Sequence, residues 1–253
     1  MAENDRKADD DGMRTRPTGP LAEDDGIAWL GERWTSDTPD PILGRQAGLV
    51  FAEGIAPQDL AVVFGAVPWE IPEPVSAEAK AIYDRTHPHT NTHVPDEPSL
   101  TVYGKEGRWS FLAGNFDFLI HFQKGFALPQ GTGRVILLYN IIARGMYLML
   151  YFEDGQRVWS DEIYGCFDEE TKGNGGHYFD YAPKMSFLNW AMHDAGCRPE
   201  VHYVDGRPVF ADEGWIPDWR QRFLKGLEIA FGISVRRERF DGGGYPLANV
   251  YWV

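Results

Sequence analysis

Short apolar runs separated by turn residues dominate the stretch from 100 to 162, a pattern typical of β-strands. We predict a first hairpin from strands at 100–103 and 108–113, joined by a turn at 104–107. Further strands are predicted at 135–140, 144–153 and 156–160. The last two flank Asp154-Gly155, which is the strongest short-range hairpin signal in the chain.

Helical spacing of apolar residues, with Pro or Gly at the boundaries, appears outside this stretch. It predicts a short helix near 26–34 and longer helices at about 57–65, 76–85, 183–195 and 216–231. Additional strands are predicted at 48–51, 201–204, 208–210 and 233–240, with an apolar segment at 245–253.

The order of these elements predicts an α+β fold: an antiparallel sheet of hairpins with helices packed on one face. We expect a single domain over 26–253, with a Pro/His-rich loop at 68–98. Residues 1–25 are acidic and nearly devoid of apolar side chains, so they are predicted to form a disordered tail.

The formal charge of −14 restricts the classes of partner. Nucleic acid and anionic lipid are disfavoured, because binding phosphate requires clustered Lys and Arg. An acidic surface attracts a basic protein, although it also serves solubility alone. The two cysteines, Cys166 and Cys197, are too few for a disulfide framework and are expected to be buried thiols.

A cytoplasmic location is predicted from two observations. Residues 1–20 are polar and lack the apolar core of a secretory signal. The most apolar run, 135–152, is interrupted by Asn140, Arg144 and Gly145, so it is interpreted as paired strands rather than a membrane span. We assign structural roles to Asn140 and Arg144, because burying an unpaired polar group is costly.

Four short motifs in a shared order resemble an actinobacterial family of single-domain proteins classed as a domain of unknown function. The motifs are Gly48-Leu49-Val50-Phe51-Ala52-Glu53-Gly54-Ile55-Ala56-Pro57, Gly107-Arg108-Trp109-Ser110, Leu138-Tyr139-Asn140-Ile141 and Tyr151-Phe152-Glu153-Asp154-Gly155-Gln156-Arg157-Val158. The resemblance covers about residues 27–232. It implies a fold and a source but no activity.

Three histidines, His87, His89 and His93, form an H-x-H-x3-H cluster close to Asp84. Three imidazoles with an open position suit zinc or another transition metal. The cluster therefore predicts a possible metal site for a metal-dependent hydrolase. The alternative is an ordinary polar loop, since no standard metal-binding spacing accompanies these residues.

Organised catalytic motifs are absent from the sequence, which contains no G-x-S-x-G, H-E-x-x-H or C-x-x-C. Asp117 and His121 are four residues apart and would share one face of a strand, where a desolvating cleft would suit them to general acid/base chemistry. A hydrogen-bonded histidine in a half-buried sheet is the alternative. The sequence thus favours a non-catalytic protein without a resident cofactor.

An acidic edge beyond the Asp-Gly hairpin is the predicted partner-binding site. It comprises Trp159, Asp161, Glu162, Tyr164, Asp168, Glu169 and Glu170. Further candidate aromatic anchors are Trp69, Tyr178 and Trp215. Aromatic anchors surrounded by charge are typical of protein interfaces, while an ordinary charged loop is the alternative.

Three functions follow from these features. The first is protein binding through the acidic edge and aromatic anchors, with an immunity-type or antitoxin-like partner of a basic protein as its specific form. The second is the metal-dependent hydrolase. The third is an accessory component of a larger assembly, in which the tail and proline-rich loop become ordered on binding.

Overall fold

The computed structural model describes residues 25–33, 40–44, 47–87, 98–115, 127–141, 146–164, 186–196, 201–204, 207–210 and 218–251. Several predicted features lie outside these residues: the tail up to residue 24, Asp117, His121, Arg144, Cys166 and Cys197.

Seven strands form one antiparallel sheet in the order β6-β5-β4-β1-β3-β2-β9. Their bounds are β1 Gly48–Glu53, β2 Ser99–Glu106, β3 Trp109–Gly114, β4 Val135–Ile141, β5 Met146–Glu153, β6 Gln156–Tyr164 and β9 Leu247–Val250. A separate hairpin consists of β7 Val201–Val204 and β8 Arg207–Phe210. The antiparallel sheet and the α+β class are therefore confirmed.

The helices lie outside the sheet, and all but the last are close to their predicted positions. They are α1 Leu30–Arg33, α2 Pro57–Val63, α3 Ala77–Thr86, α4 Ser186–Asp194, α5 Trp219–Phe231 and α6 Arg237–Asp241. Left-handed glycines end two of them as predicted, since Gly196 follows α4 and Gly232 caps α5. Ser76 caps α3 by accepting a hydrogen bond from the Ala79 N–H at 3.1 Å.

Strand β1 is the centre of the sheet, hydrogen-bonded to β3 on one side and to β4 on the other. Its side chains alternate between two apolar clusters. Leu49 and Phe51 belong to one cluster, and Val50 and Ala52 belong to the other. Because both faces of β1 are apolar, each face requires a covering layer.

One face of the sheet packs against the N-terminal segment and α5. The side chains of Trp219, Phe223, Leu227 and Phe231, at four-residue intervals, are all buried in this layer. The other face packs against α2 and α3, which contribute Leu60, Phe64, Ile82 and Tyr83. Helices thus cover both faces, whereas the sequence led us to expect one, because the central strands present apolar side chains in both directions.

The N-terminal segment is fixed by a helix from the far end of the chain. The N–H groups of Ile27 and Ala28 donate to the Glu228 carboxylate at 2.5 and 2.7 Å. Val235 donates its N–H to the Gly26 carbonyl at 3.2 Å, and the Trp29 indole donates to the Val235 carbonyl at 2.9 Å.

The turn between β2 and β3 lies further along the chain than the sequence suggested. Glu106 pairs with Trp109, so the turn residues are Gly107, which has φ +56°, and Arg108. Gly104 instead lies within β2, where a Cβ would come within 2.9 Å of the Phe111 ring. That glycine is explained by close packing rather than by a turn.

The predicted strand at 233–240 was wrong throughout, because 233–236 belong to no strand and the rest is helical. Ile233 and Val235 are buried alternately, which mimics a strand, but Val235 bonds to Gly26 outside any described strand. The helix α6 follows at once. It brings Phe240 edge-on to Trp29, with ring centroids 5.2 Å apart.

Truncating a buried side chain of the central strand β1 is expected to lower the free energy of unfolding. Phe51→Ala removes a side chain that is 1% exposed, and we expect it to lower the free energy of unfolding by about 3–5 kcal/mol. Urea unfolding followed by circular dichroism measures this loss. Leu247→Ala, at a half-exposed site, is the control and should cost about 1 kcal/mol or less. Equal losses in the two variants would contradict the central role of β1.

Candidate functional site

The loop between α2 and α3 presents an exposed tryptophan. Val67 and Ile71 are buried on either side, whereas the side chain of Trp69 between them is 68% exposed. The two buried residues fix the path of the backbone and leave Trp69 directed outward.

Side-chain contacts to α2 hold the second half of this loop. The Ser76 N–H donates to Asp59 Oδ1 at 2.8 Å, and Gln58 Nε2 donates to the Pro74 carbonyl at 3.2 Å. Prolines at 68, 72 and 74 further restrict the backbone. The loop is therefore well ordered before any partner binds.

An aromatic stack supports Trp69 from below. Its ring meets Tyr83 edge-on, with centroids 6.4 Å apart, and Tyr83 stacks on His87 at 4.5 Å. Tyr83 and His87 are buried, so the exposed indole packs against a ring that is itself held in the core.

Carboxylates make the surroundings of Trp69 acidic. Glu70 and Glu73 lie in the same loop, and Asp84 follows Tyr83 on α3. The Tyr103 hydroxyl donates to Glu73 at 2.8 Å. Burial, and then the hydrogen bond to Glu73, raises the pKa of Tyr103. We call Trp69, Glu70 and Glu73 the Trp69 surface.

Of the three predicted metal ligands, only His87 lies within the described residues. Its ring is 2% exposed and stacked on Tyr83, and its Nδ1 lies 2.8 Å from Thr86 Oγ1. His89 and His93 fall outside the described residues. No group of three His, Cys, Asp or Glu side chains suited to a metal ion occurs among the residues that the structure describes. The metal site stays a prediction.

Strand β6, at one edge of the sheet, carries four residues of the predicted acidic edge. Their backbone pairing is Trp159 with Tyr151, Asp161 with Met149, Glu162 with Leu148 and Tyr164 with Met146. The side chains of these four residues lie outside the described part of the structure. So do Asp168, Glu169, Glu170, Tyr178 and Trp215. The acidic edge therefore remains a prediction.

A charged cluster at the end of β1 was not anticipated from the sequence. Arg134 binds the Glu53 carboxylate in a bidentate manner, with Nε and Nη2 at 2.8 and 2.7 Å. Arg108 Nε lies 2.8 Å from the same carboxylate, and the Arg134 guanidinium lies 5.3 Å from the centroid of the Trp109 ring. Glu53 and Arg134 are each adjacent to an apolar run, but only the β1–β4 pairing brings them together.

The Glu53 carboxylate is held in its ionised form. The hydrogen bond from Arg134 and the charges of Arg134 and Arg108 lower its pKa, and they outweigh the opposing effect of burial. A carboxylate with a lowered pKa is a poor general base at neutral pH. We therefore regard this cluster as structural.

A second cluster joins the C-terminal segment to β2. Glu106 is buried and accepts hydrogen bonds from the Tyr245 hydroxyl at 2.6 Å and from Arg239 Nη1 at 2.7 Å. Arg236 Nε lies 3.4 Å from the other oxygen. Burial, followed by the bond to Glu106, raises the pKa of Tyr245 to about 12.

Comparison with protein-family models, curated proteins and solved structures finds no match for this chain. The resemblance to the actinobacterial family stays a prediction. Within the described ranges, no helix combines the length and the apolar character needed to cross a membrane.

The Glu53 cluster should make stability depend on pH in the acid range. Because the folded-state pKa lies below the ordinary value of 4.5, its contribution is present above that pH and is lost as the pH falls through the folded-state pKa. We expect Glu53→Gln to destabilise the protein by about 2 kcal/mol at neutral pH, and by less as the pH is lowered. Urea unfolding between about pH 7 and about pH 3 measures both effects.

Glu238→Gln is the matched control for this experiment. Glu238 is exposed and forms no ion pair with the residues that the structure describes. Two results would contradict this expectation: Glu53→Gln lowers the free energy of unfolding equally at every pH, or by only as much as Glu238→Gln does. Either result would show that Arg134 and Arg108 do not stabilise the fold through the charge of the Glu53 carboxylate.

Proposed function

We propose that this protein is a non-catalytic binding protein that recognises another protein through the Trp69 surface. The observation that carries the proposal is a tryptophan that is 68% exposed, fixed between two buried residues and supported by a buried aromatic stack. Tryptophan is enriched among the few residues that dominate binding energy at protein interfaces.

Rigidity favours this function over a purely structural explanation. Ordering a side chain on binding costs about 0.5–1.5 kcal/mol, and an anchor that is already fixed avoids part of that cost. The bonds from Ser76 to Asp59 and from Gln58 to Pro74 supply this preorganisation.

The charge of the surface indicates the chemistry of the partner. Residues 57–86 contain five carboxylates, Asp59, Glu70, Glu73, Glu78 and Asp84, and two basic residues, Lys80 and Arg85. A complementary partner presents an apolar pocket for the indole, flanked by Lys or Arg. An immunity-type role against a basic protein, in the cytoplasm, is the specific form of this proposal that we favour.

Removing the anchor should abolish selective capture of the partner. We expect immobilised wild-type protein to retain a basic protein from a lysate of the source organism at low salt, and to retain less of it at high salt. Trp69→Ala should weaken binding to the identified partner by about 30-fold or more, measured by calorimetry with purified components.

Ile229→Ala, which truncates another exposed apolar side chain, is the control and should bind normally. A double Asp161→Asn/Glu162→Gln variant tests the predicted acidic edge separately. Capture of the same proteins by wild type and Trp69→Ala would overturn the role of Trp69. Loss of partner binding in the double variant alone would place the interface on β6.

A further inference from the structure

A cavity of about 650 Å³ opens at one end of the sheet. Residues 127–132 line one side, and the β5–β6 hairpin lines the other through Phe152, Asp154, Gly155 and Arg157. Small-molecule sites span roughly 300–1,000 Å³, so the volume suits a small ligand.

The floor of this cavity is apolar. Phe152 and Leu128 belong to the apolar layer that also contains α2 and α3. Arg157 is the direct cross-strand partner of Phe152, so the two side chains share one face of the sheet. The guanidinium is thus placed beside an apolar floor.

The facing wall is held in position by bonds to other elements. The Gln130 N–H donates to Glu78 Oε1 on α3 at 2.7 Å, and Thr132 Oγ1 donates to the Pro129 carbonyl at 2.8 Å. The Gly133 N–H donates to the Glu53 carbonyl of β1 at 3.0 Å. The cavity is therefore preformed rather than created by a ligand.

Two opposite charges line the cavity, and neither is neutralised by the described residues. Asp154 and Arg157 form no ion pair with any residue that the structure describes, which contrasts with the paired arginines of the Glu53 cluster. Asp154 adopts φ +48° in the hairpin turn, and both it and Arg157 line the same cavity. A ligand with a single charge would be attracted by one residue and repelled by the other.

We infer that the cavity binds a zwitterionic amino acid with a large apolar side chain. The carboxylate faces Arg157, the ammonium group faces Asp154, and the side chain lies over Leu128 and Phe152. This ligand satisfies both charges and covers the apolar floor. The site is independent of the Trp69 surface.

Titration calorimetry of the full chain with L-phenylalanine and L-leucine tests this inference. Binding is expected for both, and it should weaken about 10-fold or more in Arg157→Gln and in Asp154→Asn. Asparagine tolerates the positive φ at position 154, so the second variant preserves the turn. N-acetyl-L-phenylalanine and L-phenylalanine amide each lack one of the two charges. The wild-type protein should bind them about as weakly as these variants bind L-phenylalanine.

Arg85→Gln, at an exposed position on α3, is the control and should bind L-phenylalanine normally. Trp69→Ala should do so as well, which separates this site from the proposed protein interface. Circular dichroism verifies that each variant is folded. Absence of amino-acid binding, or equal binding by wild type and folded Arg157→Gln, would overturn the inference.

Discussion

The structure depends on the burial of β1 between two sheet neighbours and two apolar layers. Its backbone bonds to β3 and β4, and its side chains divide between the two clusters. Neither neighbour follows β1 directly in sequence, so the pairing joins the β2–β3 hairpin to the β4–β5–β6 meander. A strand of six residues thereby determines where both helical layers lie.

Two carboxylates at the ends of central strands are held by dedicated partners. Glu53 at the end of β1 and Glu106 at the end of β2 each bind arginine, and Glu106 also binds a tyrosine. The arginine partners make these carboxylates compatible with partial burial. Asp154 and Arg157, by contrast, are exposed and form no ion pair with the residues that the structure describes.

Local features of the fold were predictable from the sequence because their causes are local. The Asp154-Gly155 turn has positive φ at both positions, as an Asp-Gly hairpin requires. The helix ending at Gly232 follows from its apolar spacing and its C-terminal glycine. Gly104 misled the prediction because a turn glycine and a tightly packed glycine are indistinguishable without the fold.

Features of the candidate sites were less predictable, because they arise between distant segments. Trp69 was one of several possible anchors, and its exposure depends on Val67 and Ile71 being buried beneath it. The cavity beside Arg157 requires residues 127–132 to face the hairpin, which no local pattern indicates. Glu53 meets Arg134 only through strand pairing.

The attachment of the N-terminal segment to Glu228 has a consequence for biosynthesis. Ile27 and Glu228 are separated by 201 positions, and Ile27 belongs to the apolar layer that also contains α5. During translation the Glu228 carboxylate cannot accept hydrogen bonds from the N–H groups of Ile27 and Ala28 until α5 leaves the ribosome. The β1–β3–β4 core can pair earlier, but the face that Trp29 covers must stay open until then. The buried layer that contains Trp29 can therefore be completed only once α5 is available, and contacts between such distant segments form slowly.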